Sequence, residues 1–333
     1  MGTPDFAIPS LMALMEGPDD VVAVITQPDR PKGRRGDLSP PPVKLLAQQN
    51  NVPVYQPEKV KDKGFLPQLK ALNPDVIVVV AYGQILSREI LDIAPRWCIN
   101  IHASLLPKYR GSAPINWALI NGEKVTGVTS MIVSAALDSG PILLKKEVPI
   151  GADDDVKILH DKLSTAGGEL LSETMNGIRK GDLTPVPQNE SEATYFPMLE
   201  KSDGLIDWHK KAEEIRNRIR GLNPWPGTYT YLSGTMLKIF KAEVIGRKGT
   251  VTTPPNPIFI KEGVPKAGTL VVESGQYPKM PGTVLEVNNE GIIVVTGEGY
   301  LSLKELQLEG KRRMGVAEFI RGYKIEKGMV LGS

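Results

Sequence analysis

The chain has 333 residues with 41% hydrophobic and 23% charged side chains, which is ordinary for a globular protein and long enough for two domains. Its single cysteine excludes an internal disulfide framework and a cysteine-rich zinc site. No apolar run approaches the ~20 residues that a membrane helix needs, and the start, MGTPDFAIPSLMALM, lacks the basic stretch that begins a signal peptide. We therefore predict a soluble protein without a visible targeting peptide.

The net charge of +2 hides an uneven distribution along the chain. The residues after Gly204 include 19 Lys and Arg against 13 Asp and Glu, a balance of +6, whereas the preceding residues include 21 against 25, a balance of −4. A basic second part suggests that this part binds a polyanion. A solvated basic face explains the same charge equally well.

The first half of the chain alternates apolar runs with helix-like segments. The runs are VVAVIT at 21–26, DVIVVVAYG at 75–83 and CINIH at 98–102, and Pro, Gly and Asp bound them. Such runs are typical of strands that are buried on both faces of a parallel sheet. Helical patterns separate them at 42–50 and 65–73. This alternation predicts an α/β domain with a doubly wound sheet.

A longer helix closes the predicted first domain, which spans 1–184. The segment 156–181 has apolar residues at a helical period, despite a central pair of glycines. From 185 to 205 the chain is polar and interrupted by prolines, which predicts a linker that crosses the surface.

The second domain, 206–333, is predicted to be rich in strands. It begins with a short amphipathic helix, KKAEEIRNRIRG, after which the apolar period drops to two in TYTYLSGTMLKIFKAEVI and again from 282 to 308. Asn288 and Asn289 supply turn chemistry between these strands. The Pro- and Gly-rich segment 247–282 predicts a long inserted loop. Together these patterns favour a small antiparallel, barrel-like domain.

One strand end carries a candidate catalytic pair. In CINIH, Asn100 and His102 are two residues apart, so both point to the same side where the strand ends. Ligands of open α/β sheets bind at the carboxyl ends of the strands. Asp138, at another strand-to-turn junction, is the candidate carboxylate that would fix the imidazole tautomer and support its protonation. By itself, a hydrogen-bonded structural histidine explains the pattern equally well.

The region around this strand resembles a known enzyme family. NIHASLLPKYRGSAPINW at 100–117, with the later TGVT and LDSG, resembles the formyltransferase domain that uses 10-formyltetrahydrofolate, whose signature is an Asn, a His and an Asp at this spacing. Further motifs are similar to those of the branch that acts on methionyl-tRNA: GTPDF at 2–6, QPDRPKGRRGDL at 27–38, PVYQP at 53–57, VVAYG at 79–83, IDW at 206–208 and NPWPGT at 223–228. The resemblance covers essentially the whole chain, in the family's order.

The resemblance implies transfer of a formyl group from N10 of the folate co-substrate to the α-amino group of methionine on initiator tRNA. Asn100 and His102 would bind and polarise the formyl oxygen, and His102 with Asp138 would manage the proton. The folate would lie against residues at two strand ends: Tyr82, Gly83, Ile85, Leu86, Ser104, Leu105, Leu106 and Pro107. Core packing explains Ile85 and Leu86 equally well. No metal is implied.

The implied partner is initiator methionyl-tRNA. The loop DRPKGRRGDL would present Arg30, Lys32, Arg34 and Arg35 to the phosphates of the acceptor arm. The second domain of the family is an OB-like barrel, a fold used for nucleic-acid binding. Its expected phosphate contacts are Lys210, Lys211, Arg216, Arg218, Arg220, Lys311, Arg312 and Arg313. In KYRG, by contrast, Lys108 and Arg110 are expected to shape the turn beside the folate.

The resemblance also implies the whole architecture, a Rossmann-like formyltransferase domain followed by the OB-like barrel, and a monomer that needs no membrane. In the family a strand precedes GTPDF, so we expect that this chain is truncated at its start or lacks an interior strand. Bacterial members act in the cytoplasm and eukaryotic ones in organelles. The expected location is therefore the cytoplasm for a bacterial chain, and mitochondria or plastids for a eukaryotic one.

Two alternative functions stay open at this point. Another enzyme of the same chemistry would formylate a nucleotide sugar, a purine precursor or water, although such enzymes lack the QPDRPKGRRG arm joined to a basic barrel. A non-catalytic tRNA-binding protein that has lost its first strand would keep the charge pattern without the activity. The other two histidines, His160 and His209, and the single cysteine, Cys98, are expected to be structural.

Overall fold

Helices and strands alternate through the first half of the chain, and strands dominate the second half. The computed structural model describes residues 1–32, 37–245 and 280–332. Its helices are α1 Ile8–Glu16, α2 Pro42–Gln49, α3 Leu66–Ala71, α4 Arg88–Leu91, α5 Pro114–Ile120, α6 Val156–Lys180, α7 Ala212–Leu222 and α8 Val316–Gly322, with 3₁₀ turns at Asp5–Ala7, Glu190–Glu192 and Lys201–Gly204. Its strands are β1 Val24–Ile25, β2 Arg30–Lys32, β3 Asp37–Ser39, β4 Val54–Tyr55, β5 Ile77–Val79, β6 Cys98–His102, β7 Arg110–Gly111, β8 Val125–Ile132, β9 Ile142–Pro149, β10 Tyr195–Phe196, β11 Thr228–Leu232, β12 Thr235–Ile245, β13 Val284–Asn288, β14 Gly291–Val295, β15 Tyr300–Leu308 and β16 Met314–Gly315.

The chain divides into two compact units. The first comprises Met1–Ala118 and Glu123–Met198. The second comprises Leu119–Gly122 and the described residues from Leu199 onward. Most of the segment predicted to be a linker, 185–205, therefore belongs to the first unit.

The first unit has a mixed sheet, whereas the sequence predicts a parallel one. The strands β5, β6, β8 and β9 lie side by side in that order, with β5 parallel to β6 and β8 antiparallel to both of its neighbours. The connection 133–141 between β8 and β9 is short and has no helix, so these two strands form a hairpin, since parallel neighbours need a longer crossover. The prediction of a parallel sheet is therefore wrong for β8, which runs against its neighbours β6 and β9, and the fold is mixed α/β.

Met1 and Gly2 lie between this sheet and a separate parallel pair formed by β1 and β4. The Gly2 N–H donates to the carbonyl oxygen of Ile25 (3.0 Å), and the Val80 N–H donates to that of Met1 (2.9 Å). A cleft of about 730 Å³ lies beside Met1 and Gly2 and is lined by residues of both β1 and β5. None of the three candidate catalytic residues lines this cleft.

Helix α6 confirms the long helix that the apolar period predicts. Asp155 caps its N-terminus, because the carboxylate accepts a hydrogen bond from the Ile158 N–H (3.0 Å). Gly181 ends the helix in the left-handed conformation, with a φ of 71°. A methyl group on Gly168, in the central glycine pair, would lie 2.9 Å from the carbonyl oxygen of Pro9. The glycine pair therefore lets α1 and α6 approach closely.

The second unit contains an antiparallel sheet in the order β11, β12, β15, β14, β13, with β16 paired to β15. The predicted period of two is confirmed, since Leu237 and Ile239 are buried between more exposed neighbours on β12. Ile215 and Ile219 of α7 belong to the same apolar core. Among the described strands no ladder joins β11 to β13, so barrel closure is not seen in this part of the chain. The predicted loop at 247–282 lies almost entirely outside the described residues.

An apolar cluster of the first unit buries two titratable groups. Cys98 is 2% exposed, as its predicted packing role requires, and burial raises the pKa of its thiol to about 12. Tyr82 is also 2% exposed, and burial raises the pKa of its phenol to about 12. The Tyr82 hydroxyl has no hydrogen-bond partner among the described residues. A buried hydroxyl without a partner lowers stability.

We expect Tyr82→Phe to raise the free energy of unfolding by about 1 kcal/mol near neutral pH, because the variant lacks that buried hydroxyl. The folded protein favours the neutral phenol, so the wild-type chain loses stability as pH rises from the ordinary tyrosine pKa of 10.0 towards about 12. The variant has no such loss, so the difference in the free energy of unfolding between the variant and the wild type should increase above about pH 10. Urea unfolding at about pH 7 and about pH 11 measures both effects.

Tyr109→Phe is the matched control, because this buried tyrosine donates its hydroxyl to Glu123 Oε1 (2.7 Å). The control is expected to lower the free energy of unfolding by about 1 kcal/mol. If Tyr82→Phe were destabilised as much as Tyr109→Phe, the prediction for Tyr82 would be wrong.

Candidate active site

Strand β6 carries Asn100 and His102 to the end of the mixed sheet. Alternation along the strand puts both side chains on one face. Asn100 lies opposite Val79 of β5 and Met131 of β8, and His102 lies opposite Thr129 of β8. His102 is the last residue of the strand and is only 8% exposed. Its ring is therefore fixed by protein groups.

Both nitrogens of the His102 ring face polar atoms. Nε2 lies 3.0 Å from the carbonyl oxygen of Tyr109. A carbonyl oxygen can only accept, so Nε2 carries the hydrogen and Nδ1 of the neutral ring has a free lone pair. Nδ1 lies 3.7 Å from Oδ1 of Asp138. This geometry suits a base that takes up a proton at Nδ1.

Asp138 lies in a turn with a constrained backbone. Its φ is 47°, in the left-handed region that non-glycine residues rarely occupy. Its second carboxylate oxygen, Oδ2, accepts a hydrogen bond from the Gly111 N–H (2.9 Å). Two residues further on, a methyl group on Gly140 would lie 1.8 Å from the carbonyl oxygen of Ile132. The glycine of LDSG therefore lets the turn fold against the end of β8 and hold Asp138 beside His102.

The Asn100 amide is the candidate donor to a ligand oxygen. The residue is half-buried, and its side chain makes no hydrogen bond within residues 1–32, 37–245 and 280–332. An amide nitrogen supplies two donors. Asn100 therefore has donors available on the same face of β6 as the His102 ring.

Thr129 supports the turn after β6, although sequence reasoning assigned it no role. Its Oγ1 accepts from the Leu106 N–H (3.1 Å) and donates to the carbonyl oxygen of Ser104 (2.6 Å). A methyl group on Gly127 would lie 2.5 Å from Cδ2 of Leu105, so the glycine makes room for that side chain. The TGVT motif, which contains both residues, is the sequence signal that marks this support.

The structure separates the predicted folate residues by exposure. The buried ones are Tyr82, Ser104, Leu106 and Pro107. The exposed or half-buried ones are Gly83, Ile85, Leu86 and Leu105. Ile85 is 85% exposed, so core packing does not explain it. Leu86 packs partly against the apolar cluster beneath it.

The segment 185–198, which the sequence predicts to be part of a linker across the surface, pairs with strands of the first unit. Val186 and Ile142 exchange two backbone hydrogen bonds (2.8 and 2.9 Å), and β10 pairs in parallel with β7. The Phe196 ring stacks on the Tyr109 ring, with centroids 4.9 Å apart. The partners lie far away in sequence, so the polar composition of the segment does not reveal them.

Arg110 of β7 is completely buried. Its Nε and Nη2 donate to Oε1 of Gln188 (3.1 and 2.8 Å), and its Nη1 and Nη2 donate to the Glu190 carboxylate (2.8 and 2.7 Å). Nη1 also donates to the Tyr195 hydroxyl. The hydrogen bonds with Glu190 raise the pKa of Arg110 and lower that of Glu190. The guanidinium thus ties β7 to the segment that the sequence predicts to be a linker.

Four cations of the first unit are predicted to bind tRNA, and two of them lie on β2, which pairs with β3. They are Arg30 and Lys32. The Arg30 side chain is exposed and forms an ion pair with Glu58 (3.3 Å). The other two cations, Arg34 and Arg35, lie outside the described residues.

The predicted phosphate contacts of the second unit are mostly accessible. The exposed or half-buried ones are Lys210, Lys211, Arg216, Arg218, Lys311, Arg312 and Arg313. Some have carboxylate partners, such as Glu298 for Lys211 (3.2 Å). Arg220 differs, since it is 9% exposed and its Nε donates to Oδ1 of Asn217 (2.9 Å). Arg220 follows Ile219 on the inward face of α7, so its side chain is less accessible than those of the other predicted phosphate contacts.

Within residues 1–32, 37–245 and 280–332, no group of three or more His, Cys, Asp or Glu residues is arranged to hold a metal ion. Within the same part of the chain, none of the helices combines the length and apolar character needed to cross a membrane.

Comparison with known proteins relates both halves of the chain to one family. The sequence pattern of the family described as Formyl transferase matches residues 1–175, and that of its C-terminal domain matches 198–324. The chain is 46% identical over 332 residues to a methionyl-tRNA formyltransferase of Citrifermentans bemidjiense, an alignment that covers 100% of this chain and 95% of the relative. It is 49% identical to that of Caldanaerobacter subterraneus subsp. tengcongensis, with 99% and 98% covered.

Solved structures of lower identity have the same fold. WlaRD, a sugar 3N-formyl transferase solved with dTDP and 5-N-formyl-THF, superposes with a TM-score of 0.63 at 20% identity, covering 93% of this chain and 97% of that one. The N-formyltransferase of Helicobacter canadensis, in complex with folinic acid and dTDP-3-aminofucose, gives a TM-score of 0.62 at 18% identity, covering 91% and 96%.

Proposed function

Because the chain belongs to the formyl transferase family, and its full-length relatives are methionyl-tRNA formyltransferases, we propose that it formylates the methionine carried by initiator tRNA. The formyl donor is 10-formyltetrahydrofolate, and the acceptor is the α-amino group of the esterified methionine. The products are formylmethionyl-tRNA, which begins translation, and tetrahydrofolate, whose N10 takes up a proton as its bond to the formyl group breaks. The observation that carries the proposal is the His102 ring, whose Nδ1 faces Asp138 while Asn100 beside it has unused donors.

Formyl transfer to an amine needs two protein groups at the reacting atoms. Negative charge develops on the formyl oxygen, so a fixed hydrogen-bond donor lowers the barrier. Asn100 is that donor in our proposal. Positive charge develops on the attacking nitrogen, which must lose a proton to a base.

His102 is the proposed base, and its protonation state follows from its contacts. The Tyr109 carbonyl holds the hydrogen on Nε2, so Nδ1 takes the proton from the amine, directly or through water. The charge of Asp138, 3.7 Å away, stabilises the imidazolium that results. Asp138 remains ionised in this scheme.

The proposed folate site uses the accessible part of the two predicted turns. Gly83, Ile85 and Leu86 follow the carboxyl end of β5, where ligands of α/β sheets bind. Leu105 follows the neighbouring strand β6. The buried members of the predicted set, such as Ser104 and Leu106, would support these turns instead of touching the ligand.

We assign tRNA binding to the cations of both units. Arg30, Lys32, Arg34 and Arg35 form one group, and their sequence is rich in glycine. The second group is Lys210, Lys211, Arg216, Arg218, Lys311, Arg312 and Arg313 on the second unit, for which we propose an OB-like fold. We further propose a monomer that acts in the cytoplasm of a bacterium, or in mitochondria or plastids if the chain is eukaryotic.

A formylation assay tests the proposal. The purified chain is incubated with 10-formyltetrahydrofolate and initiator tRNA charged with methionine, and formylmethionyl-tRNA is expected to accumulate. Parallel reactions replace the tRNA with an amino sugar nucleotide or with buffer alone. Formylated sugar, or release of formate without tRNA, would favour another enzyme of this chemistry. Binding of the tRNA without any transfer would favour the non-catalytic alternative.

A further inference from the structure

The amide of Gln188 joins the buried guanidinium of Arg110 to the turn that carries Asp138. Its Oε1 accepts from Nε and Nη2 of Arg110 (3.1 and 2.8 Å). Its Nε2 donates to two backbone carbonyl oxygens, those of Asp138 and Gly140, both at 2.8 Å. Arginine can only donate, so the amide has one possible orientation, with the NH₂ group towards the turn. Each polar atom of the Gln188 side chain is therefore used.

The backbone conformation of the turn is unfavourable by itself, so contacts from outside the turn must stabilise it. Asp138 has a φ of 47°, and a non-glycine residue keeps such a conformation only where its surroundings impose it. Gln188 donates hydrogen bonds to the backbone of the turn, while the Gly111 N–H donates one to the Asp138 carboxylate (2.9 Å). Gly111 follows Arg110 on β7, so this short strand supports the turn both directly, through Gly111, and indirectly, through Arg110 and Gln188.

The Arg110 guanidinium has no N–H donor available for a ligand. It is completely buried, and its Nε, Nη1 and Nη2 all donate to protein acceptors on Gln188, Glu190 and Tyr195. A buried charge is retained only where its partners are well placed, and these three partners lie on one segment, 188–195. The ion pair with Glu190 therefore anchors the segment that presents Gln188.

We infer that Gln188 is a positioning residue for the reaction, which holds the Asp138 carboxylate at the Nδ1 edge of the His102 ring and is itself oriented by Arg110. Gln188 acts through Asp138 and touches no reacting atom. The segment Val186–Phe196, called the strap below, pairs with β9 near its start and with β7 at its end, and within it Gln188 contacts the turn that carries Asp138. The inference deepens the proposed function and rests on it for its kinetic test.

Gln188→Met tests the inference, because methionine has a similar length and lacks the amide's donors and acceptor. We expect kcat for formyl transfer to fall about 10- to 100-fold, with KM for both substrates within about twofold, since a carboxylate displaced by about 1 Å no longer supports the base. In an Asp138→Asn background the same substitution should change kcat by less than about threefold. An equal loss in both backgrounds, or no loss in the wild-type background, would overturn the inference.

A second measurement does not depend on activity. The chain has only three histidines, so NMR can assign the ring signals of His102 by comparison with His102→Ala. We expect Gln188→Met to move the ring signals of His102 away from their wild-type positions, because the facing carboxylate moves away from the ring. Unchanged ring signals of His102 in a folded variant would contradict the inference even if the wild-type chain formylates nothing.

Asn189→Ala is the matched control. Asn189 neighbours Gln188 in the strap and is exposed, and its side-chain hydrogen bonds go to Ser191 and Glu192. It is expected to leave kcat within about twofold of wild type and the ring signals of His102 unchanged. If Asn189→Ala reproduced the losses of Gln188→Met, the effect would belong to the strap as a whole and the specific role of Gln188 would be wrong.

Discussion

Replacing His102 with alanine is expected to lower kcat for formylation of methionyl-tRNA by about 10²- to 10⁴-fold. The variant removes the group whose Nδ1 accepts the proton in the proposed scheme, and it leaves the Asp138 carboxylate without a partner at that edge. The ring is 8% exposed, so some stability is lost as well. Single-turnover kinetics at saturating folate and tRNA separate the chemical step from binding.

His160→Ala is the control for this experiment. His160 lies on α6, where its Nδ1 is 3.0 Å from Oδ1 of Asp161, and it makes no contact with the candidate catalytic residues. The control should keep kcat within about twofold of wild type. If folded His102→Ala retained more than about a third of wild-type turnover, His102 would be structural and the proposed mechanism would be wrong.

Gly140→Ala is expected to have the second large effect, on both stability and turnover. A methyl group at this position would lie 1.8 Å from the carbonyl oxygen of Ile132, and backbone atoms cannot yield without moving the turn. We expect the free energy of unfolding to fall by about 3 kcal/mol, and kcat to fall about 10²-fold because Asp138 moves with the turn. Calorimetry and the formylation assay measure the two effects.

Gly64→Ala is the matched substitution in the same unit. Gly64 is exposed, and the nearest atom to its added methyl group, Oδ1 of Asp62, would lie at an ordinary 3.5 Å. The free energy of unfolding should therefore change by less than about 0.5 kcal/mol, without loss of activity. A Gly140→Ala variant as stable and active as Gly64→Ala would show that the turn can move without affecting Asp138.

Local sequence periodicity determined much of the framework. The period of two in CINIH places Asn100 and His102 on one face of β6, and the helical period of 156–181 gives α6. These features depend on neighbours two to four residues apart, so they can be read from the chain without knowledge of the fold. The strand-to-turn junction made Asp138 the candidate carboxylate, and the resemblance to a family favoured a catalytic role for the pair over a structural histidine.

Only the tertiary structure decided how the site is held together. The mixed order of β6, β8 and β9 depends on which strands pair, and apolar runs do not encode their partners. The guanidinium of Arg110 meets Gln188 across 78 residues of sequence, and the amide of Gln188 meets the carbonyl oxygen of Asp138 across 50. In the sequence Gln188 is one polar residue in a proline-rich stretch, and Arg220 is one cation among many. Arg110 and Arg220 are buried, and the half-buried Gln188 is a partner of Arg110; a buried polar group must find specific partners, whereas a solvated one need not.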